Sequence, residues 1–235
     1  MNTQHTITLR GVGLTLLALG AAGCPSLNTY TTPRTIPAGT IQHTVALEAI
    51  GAGSSRGSVV LPTLPTYQLR YGISDRLDVG ARINNLTSIG ADLKINMLRG
   101  MLDLSVDPSF QLIYLSVEST SSSGSTSSSS LGLAFLHLPL LVGLNLSRSF
   151  TLLATPGFTY ALGFAGSTSS TSGDRSQYLA SGAMARFGLG FNWRVANAIA
   201  LQPEVTALWN PATEGFIFNF GIGLQFGSMP EYDRQ

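Results

Sequence analysis

Three sets of side chains in these 235 residues could do chemistry: the histidines with nearby acids, a lone cysteine, and ionisable groups that recur at fixed parity. Hydrolysis through a Ser–His–acid site needs an imidazole within hydrogen-bond reach of both a hydroxyl and a carboxylate. The chain has three histidines, His5, His43 and His137. His5 falls in a leader, His43 opens the first extended segment on its apolar parity, and His137 lies mid-strand in a stretch of ambiguous parity. Neither of the last two is placed near Glu118, Asp174 or Glu214, the acids of the outer connections. A hydrolase is therefore the least favoured reading, and no catalytic residue is assigned. No Cys or His pair has metal-ligand spacing, so neither a metal nor a cofactor is expected.

The recurring charges are Glu48, Asp78, Asp92, Asp103, Asp107 and Glu204 with Arg70, Arg82, Lys94 and Arg186. They share the parity opposite to the apolar residues of their segments. Ions removed from bulk water must be paired, so six acids and four bases read as a neutralising network inside a narrow barrel. The competing reading is that some of them line a polar path. Gly80, Gly90, Gly188, Gly190, Gly221 and Gly223 fall on the same face, where they leave room for long side chains.

The elements that must position these groups are extended. From Thr40 onward, period-2 patterning recurs in segments of about ten residues, the length a tilted strand needs to cross a bilayer. They are Thr40 to Ile50, Leu64 to Tyr71, Leu77 to Ile83, Ile89 to Leu98, Leu102 to Leu115, Leu131 to Asn145, Phe150 to Phe164, Tyr178 to Trp193, Ile199 to Leu208 and Phe216 to Phe226. In the clearest, Ile89, Ala91, Leu93, Ile95 and Met97 alternate with Gly90, Asp92, Lys94 and Asn96. Long, small-residue-rich connections (51–63, 116–130, 165–177) alternate with tight ones (73–76, 99–101, 146–149, 194–198), as loops and periplasmic turns do in outer-membrane barrels. The low-complexity stretch 116–130 reads as a mobile loop. Each tight turn holds one arginine, Arg76, Arg99, Arg148 or Arg194, able to meet phospholipid headgroups. Tyr71, Phe150, Trp193 and Phe226 mark one rim, and Tyr114, Phe164, Trp209 and Phe216 the other. Pro108, Pro139, Pro156 and Pro203 lie inside strands, where each removes a ladder donor, so bulges or shortened strands are expected there.

Composition agrees with lipid as the outer solvent. Only 11% of the residues are charged, while 26 are glycine, against about 25% charged in an ordinary soluble domain. Residues 11–22 (GVGLTLLALGAA) form an apolar run too short for a transmembrane helix and read as a secretory signal. The run ends at Ala21-Ala22-Gly23-Cys24, which resembles the lipobox of bacterial lipoproteins. That resemblance implies acylation of Cys24, with Ala21 standing where the family usually has Leu; Pro25 after it implies outer-membrane delivery. Removing the signal takes away Arg10 and no acid, leaving 12 basic and 12 acidic residues, a balance that offers nucleic acid no electrostatic footprint.

The stretch Tyr71-Gly72-Ile73-Ser74-Asp75-Arg76-Leu77-Asp78-Val79-Gly80 resembles the strand-turn-strand repeat of small bacterial outer-membrane β-barrel proteins. Phe216 to Phe226 resembles their final strand, although nine residues follow Phe226 here. The resulting expectation is an all-β, antiparallel up-and-down transmembrane barrel of about ten strands in the bacterial outer membrane. Residues 1–23 are signal, 24–38 a lipid-anchored extended tether, 39–227 the barrel and 228–235 a tail. A lipid-anchored β-sandwich or lipocalin-like barrel is the fold-level alternative. The expected role is structural or an interaction without catalysis, with outer-membrane lipid as partner and a small solute or surface partner unidentified. The alternative is a narrow porin-like channel or a hydrophobic-solute transporter.

Overall fold

The computed structural model describes residues 26–54, 57–84, 87–120, 126–169, 175–211 and 215–232; the signal segment and Cys24 lie outside them. Thirteen ladder segments follow one another: β1 (Ile41–Ser54), β2 (Gly57–Pro62), β3 (Thr66–Ser74), β4 (Leu77–Asn84), β5 (Ser88–Leu98), β6 (Leu102–Val106), β7 (Ser109–Thr120), β8 (Thr126–Asn145), β9 (Phe150–Ala154), β10 (Gly157–Ser169), β11 (Arg175–Ala196), β12 (Ile199–Asn210) and β13 (Gly215–Gly227). Every pairing is antiparallel, and β13 returns to pair with β1, as at Val45 with Leu224, so the sheet closes on itself.

Thirteen segments make ten crossings because proline interrupts three of them. Pro65 separates β2 from β3, Pro108 separates β6 from β7, and Pro156 separates β9 from β10. In each case the missing N–H leaves the ladder one bond short. Pro203 stays within β12, but pairing with β11 lapses between Gly190–Glu204 and Trp193–Leu201. Pro139 remains within β8, and the next amide, Leu140 N–H, donates to Pro156 O.

Alternation decides what each face meets. Along β5 the burial pattern switches residue by residue, with Ile89, Leu93, Ile95 and Met97 outward and Asp92, Lys94 and Asn96 enclosed. The outward set continues around the barrel, from Leu47 (61% exposed) to Phe158 (68%). An apolar outer band on a closed barrel is the surface that hydrocarbon solvates. Tyr71, Trp193 and Phe226 expose their rings at the turn rim, and Tyr114, Phe164, Trp209 and Phe216 at the other.

Two expectations are corrected. The stretches 51–63, 116–130 and 165–177 are not loops throughout: β1 runs to Ser54 and β2 covers Gly57–Pro62, β7 runs to Thr120, β8 starts at Thr126, β10 runs to Ser169 and β11 starts at Arg175. Register continues unbroken, with Ser116 opposite Ser130 and Gly166 opposite Gln177. Ser, Thr and Gly lack the apolar alternation that marks a strand in lipid, but past the membrane both faces meet water and the ladder needs no apolar face. The tether is not a surface linker either, since Ser26 to Ile36 are buried inside the barrel.

Ile222, midway along β13 and 45% exposed, tests which solvent lies outside. Ile222→Arg is expected to lower stability by about 2–4 kcal/mol and Ile95→Arg, nearer the turn rim, by less. Denaturant unfolding in bilayers reads both; equal tolerance of the two would point to water on the outer face.

Candidate functional site

The lumen holds the chain's polar chemistry, and its centre is the segment 26–36. Contacts fix the direction of this plug. Ser26 Oγ donates to Glu48 Oε1 (2.7 Å), well up β1 from the turn rim, whereas Arg34 sits at that rim and grips Asp103 through Nε and Nη2, both at 2.9 Å. The chain therefore descends the lumen from the loop side, turns at Gly39 (φ +75°) and rises again as β1. A single extended strand inside a barrel has no ladder partner, so its backbone groups are satisfied by barrel side chains. Glu204 accepts from Thr29 N (2.8 Å) and Tyr30 N (2.9 Å), Gln225 Nε2 donates to Tyr30 O (2.7 Å), and Arg82 Nη1 donates to Asn28 O (3.0 Å). Lys94 Nζ donates to Thr32 O and Arg34 O, and Asn96 Nδ2 to Pro33 O. Tyr30 adopts a left-handed φ of 46°. Its ring lies against Gly221 and Gly223, where a Cβ would collide with it.

The ten lumen charges are all buried. Arg70 bridges Asp78 and Asp92 (2.5 Å to Asp92 Oδ1), Lys94 joins Asp78 Oδ2 at 3.1 Å, and Arg82 reaches Asp92 Oδ2 at 3.5 Å. These five groups on β3, β4 and β5 form one linked set, in which removing one partner would strand a buried charge at a cost of about 3–5 kcal/mol. Gly80 is required beside it, since a Cβ there would strike the Asp92 carboxylate. Glu48 and Glu204 serve the plug, as does Asp103 through Arg34, a residue that no motif in the sequence singled out. Asp107 and Arg186 differ: Asp107 Oδ1 and Arg186 Nε and Nη2 have no hydrogen-bond partner.

The turn-side mouth is covered by the tail. Arg34 Nη1 donates to Glu231 O (2.9 Å), Arg194 Nη2 donates to Pro230 O, and both guanidiniums lie over the Tyr232 ring, at 4.6 and 5.7 Å from its centroid. Enclosure raises the Tyr232 phenol above its ordinary range, which keeps it neutral beside them. Two of the four turn arginines are thus spent inward, Arg194 on the tail and Arg99 on Thr35 Oγ1 and Asn96 Oδ1. Arg76 donates to Met97 O near the end of β5.

Toward the loop side the lumen changes character. Leu27 of the plug packs with inward-facing Ile113, Phe135, Met184 and Leu208, with Leu133 and Ile217 beside them. Next to this cluster an apolar cavity of about 250 Å³ is lined by Leu27, Ile50, Leu61, Phe135, Leu208 and Ile217 among others. A lumen that is polar below and apolar above was not anticipated from the strand parity, although 131–145, apolar on both parities, carried the signal.

The histidines separate. His43 faces outward at the turn rim, where Nδ1 lies 2.7 Å from Tyr67 Oη and the ring stacks on Phe226. His137 faces the lumen, stacked on Phe135, with Nδ1 2.8 Å from Thr159 Oγ1 and Nε2 unpartnered. Register sets Ser109 between Asp92 and His137, but no described hydrogen bond joins Ser109 to the imidazole, and Asp92 is engaged by Arg70. Asp174 and Glu214, and the side chain of Glu118, lie outside the described residues. Among the described residues no three His, Cys, Asp or Glu side chains group to hold a metal.

No family model and no curated protein matches this sequence. Solved structures similar in fold include the outer membrane protease OmpT of Escherichia coli (10% identity, 85% of this chain and 100% of that one, TM-score 0.49). The translocator domain of the autotransporter NalP of Neisseria meningitidis is another (11%, 94% and 95%, 0.46). The outer membrane protein OprG of Pseudomonas aeruginosa is a third (11%, 83% and 99%, 0.37). The chain has the fold of a bacterial outer-membrane β-barrel.

Proposed function

We propose that this chain is a non-enzymatic outer-membrane barrel, closed to ions by its own N-terminal segment, whose interaction role is to hold small hydrophobic solutes on the loop side of the lumen. The observation that carries this reading is the cavity of about 250 Å³ walled by Leu27, Ile50, Leu61, Phe135, Leu208 and Ile217. Inward positions of a barrel normally face water, and apolar groups there lose solvation that only an apolar occupant or one another can replace. A concave, mostly apolar site of this size suits a ligand smaller than a drug-sized molecule. A porin-like reading is less well supported, because the plug and the tail occupy the turn-side half of the path.

The nonpolar fluorophore N-phenyl-1-naphthylamine tests the site on protein in nanodiscs. Saturable binding is expected, weakened at least about tenfold by Ile217→Glu, equivalent to about 1.4 kcal/mol, and unaffected by the outward change Ile222→Ala. Equal binding by Ile217→Glu would place the probe in lipid and remove the solute reading.

Plugging is tested separately in planar bilayers. The intact protein is expected to show no stable conductance steps, whereas deletion of residues 26–36 should open a polar path and produce them. Large steps from the intact protein would mean that the plug does not block.

A lipid anchor belongs to the same reading and is supported by Ala21-Ala22-Gly23-Cys24. Labelled palmitate should enter the unmutated protein and not Cys24→Ala. Its absence from the unmutated protein would delete the anchor.

A further inference from the structure

The plug hydrogen-bonds to one side of the barrel, although Pro33 also packs against Gly143 of β8. The hydrogen bonds described between Ser26–Ile36 and the barrel wall go to β1, β4, β5, β6, β12 and β13. The opposite wall, from the β6–β7 junction through β8, β9 and β10 to β11, receives none of them in the polar half of the lumen. That wall nevertheless carries buried polar side chains with unsatisfied atoms: Asp107 Oδ1, His137 Nε2, Thr155 Oγ1, and Nε and Nη2 of Arg186. Register places them together. Asp107 N–H donates to Pro139 O, Pro139 is opposite Gly157, and Gly157 is opposite Arg186, while His137 is opposite Thr159 on the same two strands. Gly157 and Gly188 carry no side chain here, and a Cβ at Gly188 would strike Thr155 Oγ1.

Arg186 is the informative member. It is 4% exposed, and among the described residues it makes no ion pair. Glu204 and Asp107 act on it through space, but neither carboxylate bonds Nε or Nη2, and buried donors left without partners are unfavourable. Its two free nitrogens, Nε and Nη2, form the side-on edge that grips a carboxylate or phosphate in parallel hydrogen bonds. Thr155 and His137 add a hydroxyl and a ring nitrogen on the same crescent of wall. The geometry points to an anion site on the Arg186 edge, taking the carboxylate or phosphate group of a small solute. This site lies on the turn side of the apolar cluster, one inward step along β11 from Met184, and does not depend on the hydrophobic-solute reading.

Inorganic phosphate is the probe, added to the full-length protein in zwitterionic micelles with chloride at matched ionic strength as control. Phosphate at millimolar concentration is expected to broaden its own ³¹P resonance and raise the unfolding temperature, and chloride to do neither. Arg186→Gln should weaken phosphate at least about tenfold. Thr155→Val, which keeps the guanidinium, should weaken phosphate more mildly and covers the case in which Arg186→Gln does not fold. Acetate competing for the site would identify a carboxylate-type ligand, and its failure to compete a phosphate-type one. Equal shifts with chloride, an undiminished phosphate response in Arg186→Gln, or no broadening with the unmutated protein would each show a crescent filled by water alone and overturn the site.

Discussion

A sheet in hydrocarbon cannot leave an edge unpaired, because each bare N–H or C=O there costs several kcal/mol. The ladder between β1 and β13, unbroken from Gln42–Gly227 to Gly53–Phe216, removes that edge, and the rest of the molecule follows from it. Closure at ten crossings encloses more space than one shell of side chains fills. The inward residues of β3, β4 and β5 fill part of it with an ion-paired set. The remainder is taken by Ser26–Ile36, a strand that hydrogen-bonds to side chains instead of to a sheet.

Such a plug constrains the side chains around it. Glutamine, asparagine and charged groups are long enough to reach the backbone of a central strand, which explains why Gln202, Gln225, Asn96, Lys94 and Glu204 all end on it. Where the inward residues are short or apolar, the plug changes partner: Leu27 meets Phe135 and Leu208. Leu27 turns to the apolar cluster while Ser26 and Asn28 on either side of it both donate to Glu48, so polar and apolar walls meet side by side at this level of the lumen.

Period-2 alternation made the crossings legible. All ten segments expected from it correspond to crossings here, because lipid outside and polar groups inside impose opposite demands on successive residues. His137 was left open because 131–145 is apolar on both parities; its inward partners Phe135 and Leu133 belong to the apolar end of the lumen, where the two faces no longer differ. The plug was illegible for a related reason. Residues 26–36 are surrounded on all sides by one barrel, so no two-sided pattern distinguishes them from an exposed linker. Pro33 has no N–H to leave unpaired within the lumen, and its carbonyl accepts from Asn96 Nδ2 and Ser105 Oγ.

Plug, wall and tail meet at one residue. Arg34 binds Asp103 of β6 bidentately, donates to Glu231 O and lies over Tyr232. Its guanidinium therefore ties plug, wall and tail into one contact at the turn-side mouth. That arrangement accounts for the residues beyond Phe226: a barrel ending there would leave Arg34 and Arg194 facing an open mouth without Pro230, Glu231 and Tyr232. The contact also joins residues 197 positions apart. Loop-closure entropy opposes pairings so distant in sequence, so the contact depends on the closed barrel to hold its partners within reach.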